Sequence, residues 1–167
     1  MTLFNPAAAI PATDPDRFPP LHTLVPHAAT MLLLKRMVAV DEDCLWAETE
    51  ITPASLFHDG SGVGSWIGIE YMAQTIAAYA GYHAQQRGDT PGIGFLLGTR
   101  RYACRTAQFA TGSTLIIKAQ KLLHTDNGLG SFACTIQDKQ TRETLAEATV
   151  TVFQPDNAPE FTRGKHT

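Results

Sequence analysis

Residues 65–87, SWIGIEYMAQTIAAYAGYHAQQR, decide the fold. The stretch holds no proline, and Ile69, Met72, Ala73, Ile76, Ala77, Ala80 and His83 recur at helical spacing. Ser65 stands where an N-cap belongs and Arg87-Gly88 where a helix stops, so the spacing predicts one helix from Ser65 to about Arg87. It is apolar nearly all round and rich in small residues (Ala73, Ala77, Ala78, Ala80, Gly81). Such a helix is expected to be buried, with its small faces against a sheet. One charge interrupts its first half. Glu70 has no charged neighbour, and a carboxylate on a buried helix costs free energy unless something partners it. Twelve residues earlier, His58 sits in a Gly-rich loop, Phe57-His58-Asp59-Gly60. A histidine and a glutamate brought together form an acid–base pair.

The pattern changes on both sides of the helix. Met31 to Val40 is an apolar run and Asp41-Glu42-Asp43 a turn. From Cys44 to Ile51, Leu45, Ala47, Thr49 and Ile51 alternate with Trp46, Glu48 and Glu50, and that period of two predicts a strand. Residues 52–64 hold Pro53, Gly60, Gly62 and Gly64 and read as a loop. After the helix come four strand-like runs, Ile93–Ala103, Thr114–His124, Ser131–Asp138 and Thr144–Phe153. Asn127-Gly128 between two of them is a hairpin signal. Residues 1–22, with Pro6, Pro11, Pro15, Pro19 and Pro20, read as an extended arm, and polar residues 155–167 as a loose tail. Residues 23–154 are then a single α+β domain, β-β-helix-β-β-β-β, in which an antiparallel sheet wraps one long central helix. One such sheet has open edges, so a dimer is expected.

Composition excludes several classes. Hydrophobic residues make up 44% and charged ones 17%, which is enough apolar surface for a proper core. A net charge of -3, with no basic run longer than Arg100-Arg101, argues against nucleic acid as a partner. Cys44, Cys104 and Cys134 are odd in number and form no CxxC, so they read as reduced core residues of a cytoplasmic protein, without a metal site. Ala7-Ala8-Ala9-Ile10 lacks a basic segment before it and is cut by Pro6 and Pro11, which disfavours a signal peptide. No apolar run reaches the roughly eighteen residues of a membrane span.

Four segments carry a resemblance. Leu24-Val25-Pro26-His27 before Met31-Leu32-Leu33-Leu34, then Phe57-His58, then Ser65 through Gln74 with its acid and a glutamine four places on, and Gly94-Phe95-Leu96-Leu97-Gly98 together resemble the hot-dog 3-hydroxyacyl-[acyl carrier protein] dehydratases. The chain is most similar to the dehydratase-like proteins of aryl-polyene clusters, and the likeness spans roughly residues 22–154. It departs from the fatty-acid enzymes at Ala28, where they have an arginine, at Lys35, where they have an acid, at Asp59, where an aromatic is common, and at Gly64-Ser65, where they have Pro-Gly. The His58–Glu70 loop is also shorter.

The resemblance implies a homodimer or heterodimer with a second hot-dog dehydratase, in which the histidine and the acid meet across the interface. It implies dehydration of a 3-hydroxyacyl thioester held on the phosphopantetheine of an acyl carrier protein, with no metal or dissociable cofactor. His58 suits the base that takes the C2 proton, because imidazole exchanges protons near neutrality. Glu70 suits the acid, or the group that positions a water. Backbone N–H groups of the first helical turn, at Ser65, Trp66 and Ile67, suit an oxyanion hole. Gln74 supports Glu70, and His27 is expected to be structural and remote from the helix start. Tyr71, Tyr79 and Tyr82 read as core or interface aromatics, and Trp66 as either core or tunnel wall. Ala73, Ala77 and Gly81 form a small-residue stripe for an acyl tunnel entered from the Ser65–Trp66 end, or for close packing against the sheet. Arg100, Arg101 and Arg105 are a solvated strand edge or a docking patch for an acidic carrier protein. Two other readings stay open. A hot-dog acyl thioesterase needs a carboxylate and a water but not His58, and a non-catalytic or weakly active subunit would stabilise an active dehydratase partner.

Overall fold

The structure is a computed structural model that describes residues 9–10, 14–27 and 29–155. Its strands are β1 (Arg36–Val40), β2 (Cys44–Glu50), β3 (Gly62–Gly64), β4 (Phe95–Cys104), β5 (Gln108–Ala110), β6 (Thr114–His124), β7 (Leu129–Asp138) and β8 (Thr144–Phe153). One long helix, α1 (Gly68–Gln86), follows β3. Six strands form an antiparallel sheet in the order β1-β2-β6-β7-β8-β4, and β3 pairs with β5 in a separate two-stranded sheet. This is the hot-dog fold: an antiparallel sheet around one helix.

The turns are made by side chains. Between β6 and β7, Gly128 takes φ +88° and the Asn127 side chain accepts the Leu129 N–H at 3.2 Å. Between β7 and β8, the Asp138 carboxylate accepts the N–H groups of Gln140 and Thr141, both at 2.9 Å.

The sheet buries Leu45, Ala47, Leu115, Ile117, Cys134, Ile136 and Val150 against Tyr71, Met72, Ile76, Ala78 and Tyr79 of α1. Burying each Leu, Ile, Val or Met among them contributes about 1.5–3 kcal/mol. Tyr71 and Tyr79 are core residues, as expected. Burial pushes the Tyr71 hydroxyl up to about 12.

Several expectations change. Ser65 does not cap the helix. The chain enters through a 3₁₀ turn at Ser65–Ile67, and no side chain bonds the first N–H groups of that turn or of α1. The helix does end at Arg87, followed by Gly88 at φ +79°. β3 and β5 were not foreseen, because three-residue strands carry too little alternation to read. β2 is the strand expected from its alternation, with both faces buried: Trp46 lies in a second cluster with Ile116, Cys44 and Ala39, and buried Glu48 is paired with Arg36 at 3.1 Å and Lys139 at 2.7 Å. The apolar run from Met31 becomes regular strand only at Arg36. The arm expected over residues 1–22 lies outside the described residues at 1–8 and 11–13, and beyond them it is not simply extended: helical turns form at Pro15–Arg17 and Leu21–Thr23, and Leu21 is buried in the core. The tail expected over 155–167 lies outside the described residues except for Asp156's predecessor, Pro155.

The helix is not covered all round. Ile69, Glu70, Ala73, Ala77 and Ala80 are only half-buried and form one stripe that the sheet leaves open. β4, at one edge of the sheet, exposes Phe95, Leu96 and Leu97. Among the described residues, no helix is long and apolar enough to cross a membrane.

Candidate functional site

The open stripe of α1 carries the acid. Glu70 lies in the first turn and Gln74 one turn on, so their side chains stack on one face. Gln74 is fully buried, and its Oε1 accepts the Leu33 N–H at 2.8 Å. Its Nε2 donates to the Met31 carbonyl at 2.8 Å and to Glu70 Oε1 at 3.0 Å. The segment before β1 thereby fixes the amide, and the amide fixes the carboxylate.

A second histidine reaches this carboxylate. His27 Nε2 lies 3.4 Å from Glu70 Oε1, while its Nδ1 is buried without a hydrogen-bond partner among the described residues. The expectation that His27 is remote from the helix start is therefore corrected. The cause is a strap over the helix. Leu21, Leu24 and Val25 are buried, and Gln85 Nε2 donates to the Thr23 carbonyl at 2.9 Å. The Leu24 backbone lies against Gly81, where an added Cβ would come within 2.1 Å of the Leu24 oxygen. The strap therefore needs glycine at position 81 and delivers Pro26-His27 to the first turn.

The acid lines a groove. Its walls include His27, Glu70, Ala73, Ala77, Phe95 and Leu96, and it encloses about 120 Å³. Ile76, Ala80, Val152 and Gln154 are shared with a neighbouring cavity of about 310 Å³ toward the C-terminal end of α1. Ala73 and Ala77 thus lie where a tunnel was expected. Gly81 does not, because it is the seat of the strap. Trp66 is neither core nor groove wall: it is 69% exposed, with its ring folded over Gly64.

His58 sits apart from this cluster. Phe57 before it adopts φ +66°, which is uncommon for an aromatic residue. The His58 Nδ1 accepts the Gly60 N–H at 3.0 Å, and Nε2 is 2.7 Å from Thr111 Oγ1. That hydroxyl donates to the Ser61 carbonyl at 2.8 Å, so it accepts from His58. Both bonds assign the imidazole proton to Nε2. The adjoining Asp59 carboxylate accepts from Ser61, Gly62 and Gln108, and the Ser61 N–H foremost holds it below the usual carboxylate range. Within one chain, His58 and Glu70 share no bond.

The oxyanion expectation narrows. The Ser65 N–H donates to the Ala107 carbonyl at 3.1 Å and is not available. Trp66 remains as an opening-turn donor. Sequence reading passed over Tyr102, whose hydroxyl donates to the Ser65 carbonyl and pins the start of the helix. Burial pushes that hydroxyl's pKa upward. An aromatic residue in a strand gives no sequence signal for such a role.

Arg100, Arg101 and Arg105 are all exposed. A register shift between Thr99 and Tyr102 lets both Arg100 and Arg101 line one outer groove of the sheet, with Leu122, Ala133, Ala148 and Glu147. Arg105 follows the strand and is outside that groove. Among the described residues, no three of His, Cys, Asp or Glu cluster as metal ligands.

Comparison with known proteins agrees with this architecture. The family model ApeP-like, described as ApeP dehydratase, matches residues 19–163. A chain of the dehydratase heterocomplex ApeI:P from Xenorhabdus doucetiae is 27% identical, with a TM-score of 0.79, and the match covers 89% of this chain and 100% of that one. The smu.793 protein of Streptococcus mutans, solved with acetyl CoA, is 20% identical with a TM-score of 0.52, covering 71% of this chain and 86% of its own. The PaaI protein of E. coli is 16% identical, also at 0.52, covering 71% and 77%. These two show the fold alone. A comparison with curated proteins finds no match.

Proposed function

The chain belongs to the ApeP-like dehydratase family, and from that premise we propose that it takes part in dehydrating 3-hydroxyacyl thioesters, carried on an acyl carrier protein, to 2-enoyl thioesters. The observation that carries this reading is the placement of Glu70, held by Gln74 beside His27 at the wall of an apolar groove.

Loss of water removes a proton from C2 and the hydroxyl from C3. In this reading Glu70 exchanges its proton with the C3 oxygen through Oε2, the carboxylate atom that no described residue bonds. In a dimer of this chain, His58 of the other copy takes the C2 proton. To do so it must give up its bonds to Thr111 and to the Gly60 N–H, and carry its own proton on Nδ1. The Trp66 N–H serves the thioester oxygen as negative charge develops there. Phosphopantetheine carries the substrate, and the reaction draws on no dissociable cofactor. Arg100 and Arg101 form the docking patch for the acidic carrier.

The partner is a second hot-dog chain, docked on the exposed edge Phe95–Leu97. A monodisperse monomer by light scattering at micromolar concentration would speak against self-association and leave the heterodimer. A second reading, a subunit that supports an active partner, is favoured by the His58 ring being tied at both nitrogens. The test is turnover of 3-hydroxyacyl carrier protein by the purified chain, alone and with a hot-dog dehydratase partner. His58→Ala and Glu70→Ala are each expected to lower the rate by about 10²–10⁴-fold with the fold intact. Near-native turnover in His58→Ala, with activity only in the complex, would establish the supporting role instead.

A further inference from the structure

We propose that His27 is a positioning residue for Glu70: it donates from Nε2 to Oε1 and, with Gln74, commits that oxygen as an acceptor, so that the exchanged proton rides on Oε2. The chemistry rests on the dehydratase reading, whereas the geometry does not.

The orientation of Gln74 comes first. The Leu33 N–H can be accepted only by the amide oxygen, so the NH₂ group must face Met31 and Glu70. Glu70 Oε1 therefore accepts a hydrogen bond whatever the charge on the carboxyl. A proton on Oε1 would face the Gln74 donor, so a protonated Glu70 carries its hydrogen on Oε2.

His27 adds a second constraint on the same atom. Its Nε2 is 3.4 Å from Oε1. A bare Nε2 lone pair there would repel the carboxylate, whereas Nε2–H attracts it. The other nitrogen gives the same answer. Nδ1 is buried without a partner among the described residues, and a buried orphan N–H is rarer than an under-satisfied acceptor. The neutral Nε2–H tautomer satisfies both conditions.

The role in the reaction follows. The Oε2–H bond breaks as a bond forms to the departing C3 oxygen, which leaves as water with the C3–O electron pair. The C2–H electron pair becomes the new C2=C3 bond, and the base at C2 keeps the proton. Glu70 ends as a carboxylate with charge on both oxygens. The Nε2–H contact, long in this state, strengthens as that charge appears. His27 itself gives up no proton.

Substitutions separate donation from bulk. The Gln amide nitrogen lies as many bonds from Cβ as His Nε2, and the Asn nitrogen as many as Nδ1. His27→Phe is expected to lower kcat roughly tenfold to a hundredfold with KM nearly unchanged. His27→Gln should restore most of the rate, and His27→Asn should not. A His27→Gln variant that folds yet is as slow as His27→Phe overturns the proposal, since it would make His27 a proton carrier or a packing element. A second measurement needs no activity. Imidazole nitrogen NMR of the intact protein should show His27 with its proton on Nε2 and a bare Nδ1, and Glu70→Gln should perturb Nε2. An Nδ1–H tautomer overturns the proposal. If no partner or substrate yields dehydration, the functional reading fails, and the NMR result still decides the role of His27.

Discussion

The two histidine regions are built on opposite plans. Glu70, Gln74 and His27 come from the helix and from a strap some forty residues upstream, and Met31 and Leu33 lock them together from the segment before β1. The His58 loop is self-contained. Its ring bonds Gly60 and Thr111, just after β5, Thr111 bonds Ser61, and Asp59 bonds Ser61 and Gln108 of β5, where β5 pairs with β3. The first arrangement aims one carboxylate at a groove and leaves an oxygen unbonded. The second closes its polar groups on themselves. One chain thus presents a prepared acid and a histidine engaged at both ring nitrogens.

The largest effect should come from removing only the acid's ionisable character. Glu70→Gln keeps the shape and still offers Gln74 a carbonyl acceptor. Turnover in the active complex is expected to fall by about 10²–10⁴-fold. The melting temperature should move by no more than a few degrees. Retained activity would erase the contrast between the two regions, because the prepared carboxylate would then be ornamental.

Gln74→Leu attacks the same cluster through its support. The variant strands the Leu33 N–H and the Met31 carbonyl as well as freeing Glu70. Leaving such groups unmade is expected to destabilise the fold by about 2–4 kcal/mol. Chemical denaturation measures this. A loss of activity with unchanged stability would mean that the strap stands without Gln74.

Much of this molecule was legible before its structure. Helix α1, β6 and β8 emerged at or near their observed bounds, because long periodic runs signal strongly. The unsupported charge of Glu70 and the glutamine one turn on were readable as a unit. The partnership of His27 was not. It depends on Leu24 lying against Gly81, a contact between residues 57 positions apart that no local spacing encodes. The same contact explains the misassignment of Gly81, since a stripe of small residues serves tunnel and close packing alike. The tautomer of His58 depends on Thr111, 53 residues away, and was equally hidden.

The groove offers a more selective test. Ala77 lines it from the half-buried stripe, opposite the face that carries the core. Ala77→Phe should therefore fill space that the sheet does not occupy. Long-chain substrates are expected to slow by roughly tenfold relative to short ones, an effect of the size of a few methylenes in a pocket. Kinetics on a chain-length series, with a thermal melt as control, would decide. Equal slowing of all lengths, or unfolding, would return Ala73 and Ala77 to a packing role.

The smallest expected effect bears most directly on the comparison. Thr111 holds His58 Nε2 through its hydroxyl, and that hydroxyl is otherwise committed to the exposed Ser61 carbonyl, which water can serve. Thr111→Val keeps the β-branched shape and removes one of the two bonds His58 must break before it can accept a proton. If His58 is the base, the ground state loses a bond that the transition state does not contain. A hydrogen bond worth about 0.5–1.5 kcal/mol then corresponds to a rise in kcat of roughly two- to tenfold. The Gly60 N–H still holds Nδ1, so the loop keeps its conformation and stability should change little. An unchanged rate would place His58 outside the chemistry and favour the supporting-subunit reading. A fall in rate matching that of His58→Ala would mean instead that Thr111 orients the imidazole as a donor, and the division between a prepared region and a closed one would have to be redrawn.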